Sequence, residues 1–263
     1  VSATSYPFLK GHGTHNDFVL LPDHDQALHG DLDAARVRAL CDRRGGLGGD
    51  GVLRVVRNDG RWFMDYRNAD GSIAEMCGNG IRVFALHLVQ EGLAESGAPF
   101  EVDTRDGVKV VTVDGDQVTV DMGVPRVLGE TEVSVGERTW TATHVDVGNP
   151  HAVAFVDDLA DAGALLEAPS YDAEVYPYGV NVEFVVRRGE GDVAMRVHER
   201  GSGETQACGT GACAVAVAAM PGEGEMTCRV EQPGGTVTIS RTAEGRVLMR
   251  GPAVIVARGS TSL

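Results

Sequence analysis

The sequence predicts an α+β protein built as two pseudo-symmetric lobes, each a β-sheet wrapped around one buried helix. Three observations carry this expectation. Much of the 263-residue chain falls into short apolar runs separated by Gly, Asp and Asn, the pattern of many short strands. Two segments, Ile81-Arg-Val-Phe-Ala-Leu-His-Leu-Val89 and Ala212-Cys-Ala-Val-Ala-Val-Ala-Ala-Met220, are apolar on nearly every side at helical spacing. Helices of that kind, too short to cross a bilayer, are buried all round. Each is entered through the same frame, Cys77-Gly-Asn-Gly80 and Cys208-Gly-Thr-Gly211, about half a chain apart, which fits a duplication better than a short-period repeat.

In chain order, residues 18–21 read as a strand and residues 33–43 as a helix. The glycine-dense Gly45-Gly-Leu-Gly-Gly49 follows that helix rather than a strand and lacks a P-loop lysine, so it reads as a flexible turn near the site rather than a nucleotide loop. Strands follow at residues 52–57 and 62–66, then the first buried helix over 79–90, then strands at 108–113 and 118–122. A boundary near Gly123-Val-Pro125 separates a first lobe, residues 1–122, from a second that begins at residue 123, with no low-complexity linker between them. The two lobes are expected to meet in a cleft. The second lobe shows strands at 141–147, 153–156, 181–186 and 194–198, a short helix over 159–166, the second buried helix over 210–220, and strands at 237–240, 247–250 and 254–257.

Composition narrows the function. A hydrophobic content of 43% is enough for a core in each half, and a formal charge of −15 with scattered basic residues repels nucleic-acid phosphates and anionic membranes. A small-molecule partner is expected. No run reaches the ~18–20 apolar residues of a membrane span, and residues 1–10 lack a signal-peptide pattern, so the expected location is cytoplasmic. Five cysteines without a Cys-x-x-Cys pair suggest neither a disulfide framework nor a zinc site.

The chemistry lies in the two frames. Glycines flanking Asn79 and Thr210 allow close approach of a ligand, and the helix that follows directs N–H groups and its positive dipole end outward, a cradle for a carboxylate. The same field can lower the pKa of a cysteine from ~8.5 toward neutrality. One such frame is as well explained by a packed cysteine, since free Cys is among the most buried residue types. Two in matching contexts point instead to two sulfurs serving one bound atom from opposite sides. A thiolate and a thiol on either side of a Cα are what stereochemical inversion requires. With no pyridoxal-phosphate lysine apparent, the carbanion is stabilised by positive potential on the substrate carboxylate.

The chain resembles the diaminopimelate epimerases in Gly11-His-Gly-Thr-His-Asn-Asp-Phe18, Arg67-Asn-Ala-Asp-Gly-Ser72, Met76-Cys-Gly-Asn-Gly80, Val147-Gly-Asn-Pro-His-Ala-Val153, Gly179-Val-Asn-Val-Glu-Phe184, and Glu199-Arg-Gly-Ser-Gly-Glu-Thr205 with Ala207-Cys-Gly-Thr-Gly211. The resemblance implies interconversion of L,L- and meso-diaminopimelate with no cofactor and no metal, for lysine and cell-wall precursor synthesis, by a homodimer. It implies mixed, barrel-like sheets, with residues 250–263 returning to the first lobe and residues 123–249 making the second. By position it makes Cys77 and Cys208 the catalytic pair. Gly78, Asn79, Gly209 and Thr210 hold the reacting carboxylate, Asn16, Asn68, Asn149, Asn181, Glu199 and Arg200 contact substrate, and His151 is auxiliary. Departures from the commoner pattern are Gly51, where some members carry a glutamine, Tyr178 and His198. A proline or hydroxyproline racemase also resembles this fold, but its substrate lacks the second zwitterion that Arg200 and three asparagines suit. A redox sensor switching through a Cys77–Cys208 disulfide is the competing non-enzymatic expectation.

Overall fold

The structure, a computed structural model, describes residues 5–263; residues 1–4, the start of the segment read for a leader and of the first expected lobe, lie outside the described residues. In chain order the first unit contains β1 (Tyr6–Gly13), β2 (Asn16–Pro22), α1 (Ala34–Cys41), β3 (Gly51–Asn58), β4 (Arg61–Asn68), α2 (Gly78–Gln90), β5 (Phe100–Thr104), β6 (Gly107–Asp114) and β7 (Gln117–Gly123). The second contains β8 (Arg126–Val135), β9 (Arg138–Asp146), β10 (Pro150–Phe155), β11 (Ser170–Tyr171), β12 (Asn181–Gly189), β13 (Asp192–Glu199), β14 (Gly203–Glu204), α3 (Gly209–Ala219), β15 (Met226–Gln232), β16 (Gly235–Arg241) and β17 (Val247–Pro252), and β18 (Val254–Thr261) ends the chain. The chain forms two compact units, one of Val1–Val120 with Gly251–Leu263 and one of Asp121–Arg250, the divisions falling inside β7 and β17, each of which is counted with the unit that holds most of it.

In the first unit the strands lie in the order β18-β1-β2-β3-β4-β5-β6-β7; the β2–β3 and β4–β5 pairs are parallel and the others antiparallel. In the second the order is β8-β9-β10-β12-β13-β15-β16-β17, with β10–β12 and β13–β15 parallel and the others antiparallel. The two orders are one pattern written twice. The strand equivalent to β8 is β18, taken from the chain's end. Parallel neighbours need a crossover, and the connections match: α1 and α2 in the first unit, a 3₁₀ turn (Leu159–Ala162) and α3 in the second. The helix expected over residues 159–166 stops there because Gly163 and Leu165 take φ of 65° and 47°.

The all-apolar helices are buried as expected. From Gly78 to Leu88 every residue of α2 is buried, and α3 is buried at all but two positions. α2 packs on β1, β2, β3, β6 and β18; α3 packs on β9, β10, β12, β13, β15 and β16, so each sheet curls around its helix. Each helix begins inside the frame rather than after it: Gly78 and Gly209 are the first helical residues. The segment Gly45–Gly49 is not a loose turn. Its amides bond to the carbonyls of Leu40, Cys41 and Asp42, capping the end of α1, and a Cβ on Gly46 would lie 2.0 Å from the Ala39 carbonyl. No helix of the described residues is long and apolar enough to cross a membrane.

Candidate active site

Each frame cysteine is the N-cap of its helix. Cys77 has φ −138°, ψ 121° and Cys208 φ −122°, ψ 116°, extended backbone that turns the side chain over the first turn. The Gly80 N–H donates to Cys77 Sγ at 3.4 Å and the Gly211 N–H to Cys208 Sγ at 3.3 Å. The sulfur therefore replaces the usual Ser or Asp cap oxygen. The first-turn N–H groups, those of Gly78, Asn79, Gly209 and Thr210 among them, point out of the helix end, the direction in which an anion is received.

In the first unit Asn16 joins the frame. Its Oδ1 accepts from Cys77 Sγ at 3.5 Å and from Asn79 Nδ2 at 3.2 Å, while its Nδ2 donates to Asp50 at 2.7 Å. Beneath lies Arg82, fully buried, donating from Nη2 to Thr14 Oγ1 and Asn79 Oδ1, both at 3.0 Å. The bond to Thr14 holds it in the β1–β2 turn, where Thr14 and His15 take φ 50° and 61°, left-handed backbone that a β-branched residue rarely adopts. Gly13 leaves room for the guanidinium, since a Cβ there would lie 2.8 Å from Arg82 Nη2. Asn68 ends β4, its amide donating to Ser72 Oγ at 3.0 Å.

In the second unit Asn181 clamps rather than points freely. It is 4% exposed, donates from Nδ2 to the Pro150 carbonyl at 3.1 Å and accepts the Arg200 N–H at 2.9 Å. Arg200 is exposed, and its Nη1 donates to the Tyr178 carbonyl at 3.2 Å. Its stem crosses Gly179, where φ is +85° and a Cβ would fall 2.9 Å from Arg200 Cδ. Glu199 accepts a hydrogen bond from Thr205 Oγ1. His151 bonds Glu183 through Nδ1 at 2.6 Å and Asn149 Oδ1 through Nε2 at 3.0 Å. Gln232 Oε1 accepts the Cys208 N–H at 2.7 Å.

Burial, reinforced by the carboxylates Glu199 and Glu183, pushes the Cys208 thiol well above its ordinary range, although Thr210 and the Gly211 N–H pull the other way. The helix end does not win here: Cys208 rests as a neutral thiol at neutral pH. Cys41, Cys213 and Cys228 are buried, and burial lifts the thiols of Cys41 and Cys228 to about 11.

Sequence reasoning missed Arg82, Glu183 and Gln232. Nothing in a strand's pattern marks Glu183 as interior, but Gln232 closes the alternation Met226, Cys228, Val230, Gln232, which period-two counting could have found.

The sequence model described as diaminopimelate epimerase matches residues 8–128 and 143–256. A diaminopimelate epimerase from Streptomyces coelicolor is 56% identical over 98% of this chain and 96% of its own length, and one from Rhodococcus jostii is 49% identical over 96% of each. The chain belongs to the diaminopimelate epimerase family. Among solved structures it is similar to a phenazine biosynthesis protein of the PhzF family from Bacillus anthracis (TM-score 0.72, 16% identity, 98% of this chain and 99% of that one). It is also similar to a hydroxyproline epimerase from Agrobacterium vitis (TM-score 0.66, 16% identity, 98% of this chain and 92% of that one). At that identity the likeness is one of fold. At Gly51 a Cβ would lie 2.6 Å from the Arg67 carbonyl and 2.7 Å from the Tyr66 ring, so this backbone has no room for a side chain there. Tyr178 is 86% exposed and serves Arg200 through its backbone, and His198 is buried on β13.

Proposed function

We propose that this chain interconverts L,L- and meso-diaminopimelate without a cofactor, Cys77 and Cys208 acting as base and acid on opposite faces of one Cα. The observation that carries this is the pair of helix N-caps whose cap atom is sulfur, in the same backbone conformation and at the same point of the two sheets. A packed cysteine needs no such repetition.

In the L,L direction the Cys77 thiolate takes the α-proton, the electron pair of that C–H bond moves into the carboxylate, and the Cys208 thiol delivers a proton to the other face. A buried thiol next to two carboxylates suits the donor role, because it keeps its proton until a carbanion is present. The charge that grows on the reacting carboxylate is met by the N–H groups of Gly78, Asn79, Gly209 and Thr210. The distal zwitterion is assigned to Arg200, whose planar fork suits a carboxylate, with Asn68, Asn149 and Asn181 completing its contacts; Asn16 is a further substrate contact, and Glu199, near the thiols, accepts from the substrate ammonium. A role in lysine and cell-wall precursor synthesis, a cytoplasmic location and a homodimer belong to the same proposal.

Incubation with L,L-diaminopimelate in deuterated water tests it. The enzyme is expected to place solvent deuterium at Cα and to form the meso isomer, and Cys77→Ala and Cys208→Ala are each expected to lose ~10²–10⁴-fold in turnover. A single-cysteine variant that keeps more than a few per cent of the rate rules out the two-base chemistry.

A further inference from the structure

The twofold repeat supplies an internal comparison for His151 and Glu183. In the first unit Phe18 pairs with Gly51, and two residues on Leu20 pairs with Leu53. In the second His151 pairs with Asn181 and Val153 with Glu183. Phe18 and Leu53 therefore stand where His151 and Glu183 stand. The helix contacts agree: a Cβ on Gly80 would meet Leu53 at 3.3 Å and Phe18 at 3.4 Å, and one on the matching Gly211 would meet Glu183 Oε1 at 2.7 Å. An apolar pair packs this place in one unit, so packing alone does not explain a polar pair with fully buried side chains in the other.

The hydrogen bonds say what the polar pair does. Asn149 Oδ1 can only accept, so the His151 nitrogen facing it, Nε2, carries a proton. One more proton lies between His151 Nδ1 and Glu183 Oε1, 2.6 Å apart. A contact that short requires this proton, so with the one on Nε2 the pair holds two, whichever of the two atoms carries the shared one; burial, which raises the Glu183 carboxyl against the pull of His151, favours the same count. The pair is then neutral. In the opposite arrangement the Asn149 amide is turned, Nε2 is bare, Nδ1 donates, and Glu183 is a carboxylate. That leaves a net negative charge in a dry site with one oxygen unbonded and Glu199 nearby, which is the costlier state.

We propose that Glu183 is a positioning residue: acting through His151, it fixes the Asn149 amide with its oxygen turned inward and its two N–H groups presented to a carboxylate of the substrate. This rests on Asn149 being a substrate contact of the proposed epimerase. A bare amide would rotate to offer either edge; a clamped one discriminates for an acceptor and against a donor.

The test is a double-mutant cycle on diaminopimelate kinetics. Glu183→Leu is expected to raise KM ~10-fold with kcat within ~3-fold, while in an Asn149→Ala background the same substitution changes KM less than ~2-fold. Multiplicative effects, or an unchanged KM, overturn the proposal, because a purely structural residue does not act through Asn149. Should Glu183→Leu fail to fold, Glu183→Leu with His151→Phe copies the Leu53 and Phe18 arrangement and is expected to show the same KM rise. The ¹⁵N shifts of the His151 imidazole give a readout that needs no turnover: Nε2–H is expected in the wild-type protein and a mixture of tautomers in Glu183→Leu. If the wild-type protein leaves diaminopimelate untouched but the imidazole behaves so, the substrate assignment is at fault and the clamp stands. An imidazole insensitive to Glu183→Leu sinks the clamp.

Discussion

At the scale of single residues, a sulfur capping a helix is pulled two ways: N–H donors and the dipole favour thiolate, burial favours thiol. The two units weight these pulls differently. Under the first turn of α3 lie Glu183 and the half-buried Glu199, and Cys208 itself is 5% exposed. Under the first turn of α2 the matching positions are the apolar Phe18 and Leu53, and Cys77 is half-buried. Reactivity toward an electrophile should follow: at neutral pH iodoacetamide is expected to alkylate Cys77 before Cys208, because Cys77 is the more accessible sulfur and burial with two neighbouring carboxylates holds Cys208 as a thiol. Peptide mass mapping over a time course checks this. Faster labelling of Cys208 would mean that the carboxylates do not control it.

At the scale of the element, the glycines three residues past each cysteine look interchangeable in the sequence and differ in the structure. An alanine gains ~1 kcal/mol over glycine in a helix interior. At Gly80 the new methyl meets the ends of Leu53 and Phe18 at 3.3 and 3.4 Å, side chains that can shift by tenths of an ångström. At Gly211 it meets Glu183 Oε1 at 2.7 Å and Cys208 Sγ at 3.2 Å, a clamped oxygen and the cap atom. Gly80→Ala is expected to keep stability within ~1 kcal/mol, and Gly211→Ala to lose ~1–3 kcal/mol as an overpacked site does, read by chemical denaturation. Equal losses would remove the asymmetry. This difference also marks where the sequence stops being legible. The buried helices were legible because a helix without a polar face has one place to go, and the cysteine frames because they repeat. β1 was not, since Pro7, Gly11 and Gly13 interrupt its run, nor was β8, whose residues are mostly exposed and whose register shifts between Val127 and Gly129. The Glu183–His151 contact depends on the register of the parallel pair β10–β12, strands joined through a crossover, and a register between distant segments leaves no local mark.

At the scale of the whole molecule, the duplicated architecture gives each unit a buried helix, and only the first carries a histidine inside it. His87 lies in α2, 2% exposed, with both ring nitrogens lacking partners among the described residues. Burial, its largest cause, lowers its pKa to about 4 from the ordinary 6.5. The sign follows from proton counting: between these values the unfolded chain binds a proton that the folded one refuses, so stability is full above pH 6.5 and falls as pH drops toward 4. A shift of that size corresponds to about 3 kcal/mol at 1.36 kcal/mol per pKa unit. His29, also lowered chiefly by burial, adds in the same window. The carboxylates act further down. Burial works against the charge of Asp23 and Asp65, but the Leu28 N–H and Arg54 hold Asp23 below the usual range, and Arg67 and Arg105 hold Asp65 there, so their contribution is lost below about pH 4. His87→Leu should therefore flatten the stability curve between pH 6.5 and 4 while leaving the steeper loss below it in place. Denaturant midpoints measured at half-unit steps in both proteins test this: curves that run parallel through that interval would mean that His87 is not the group that protonates on unfolding.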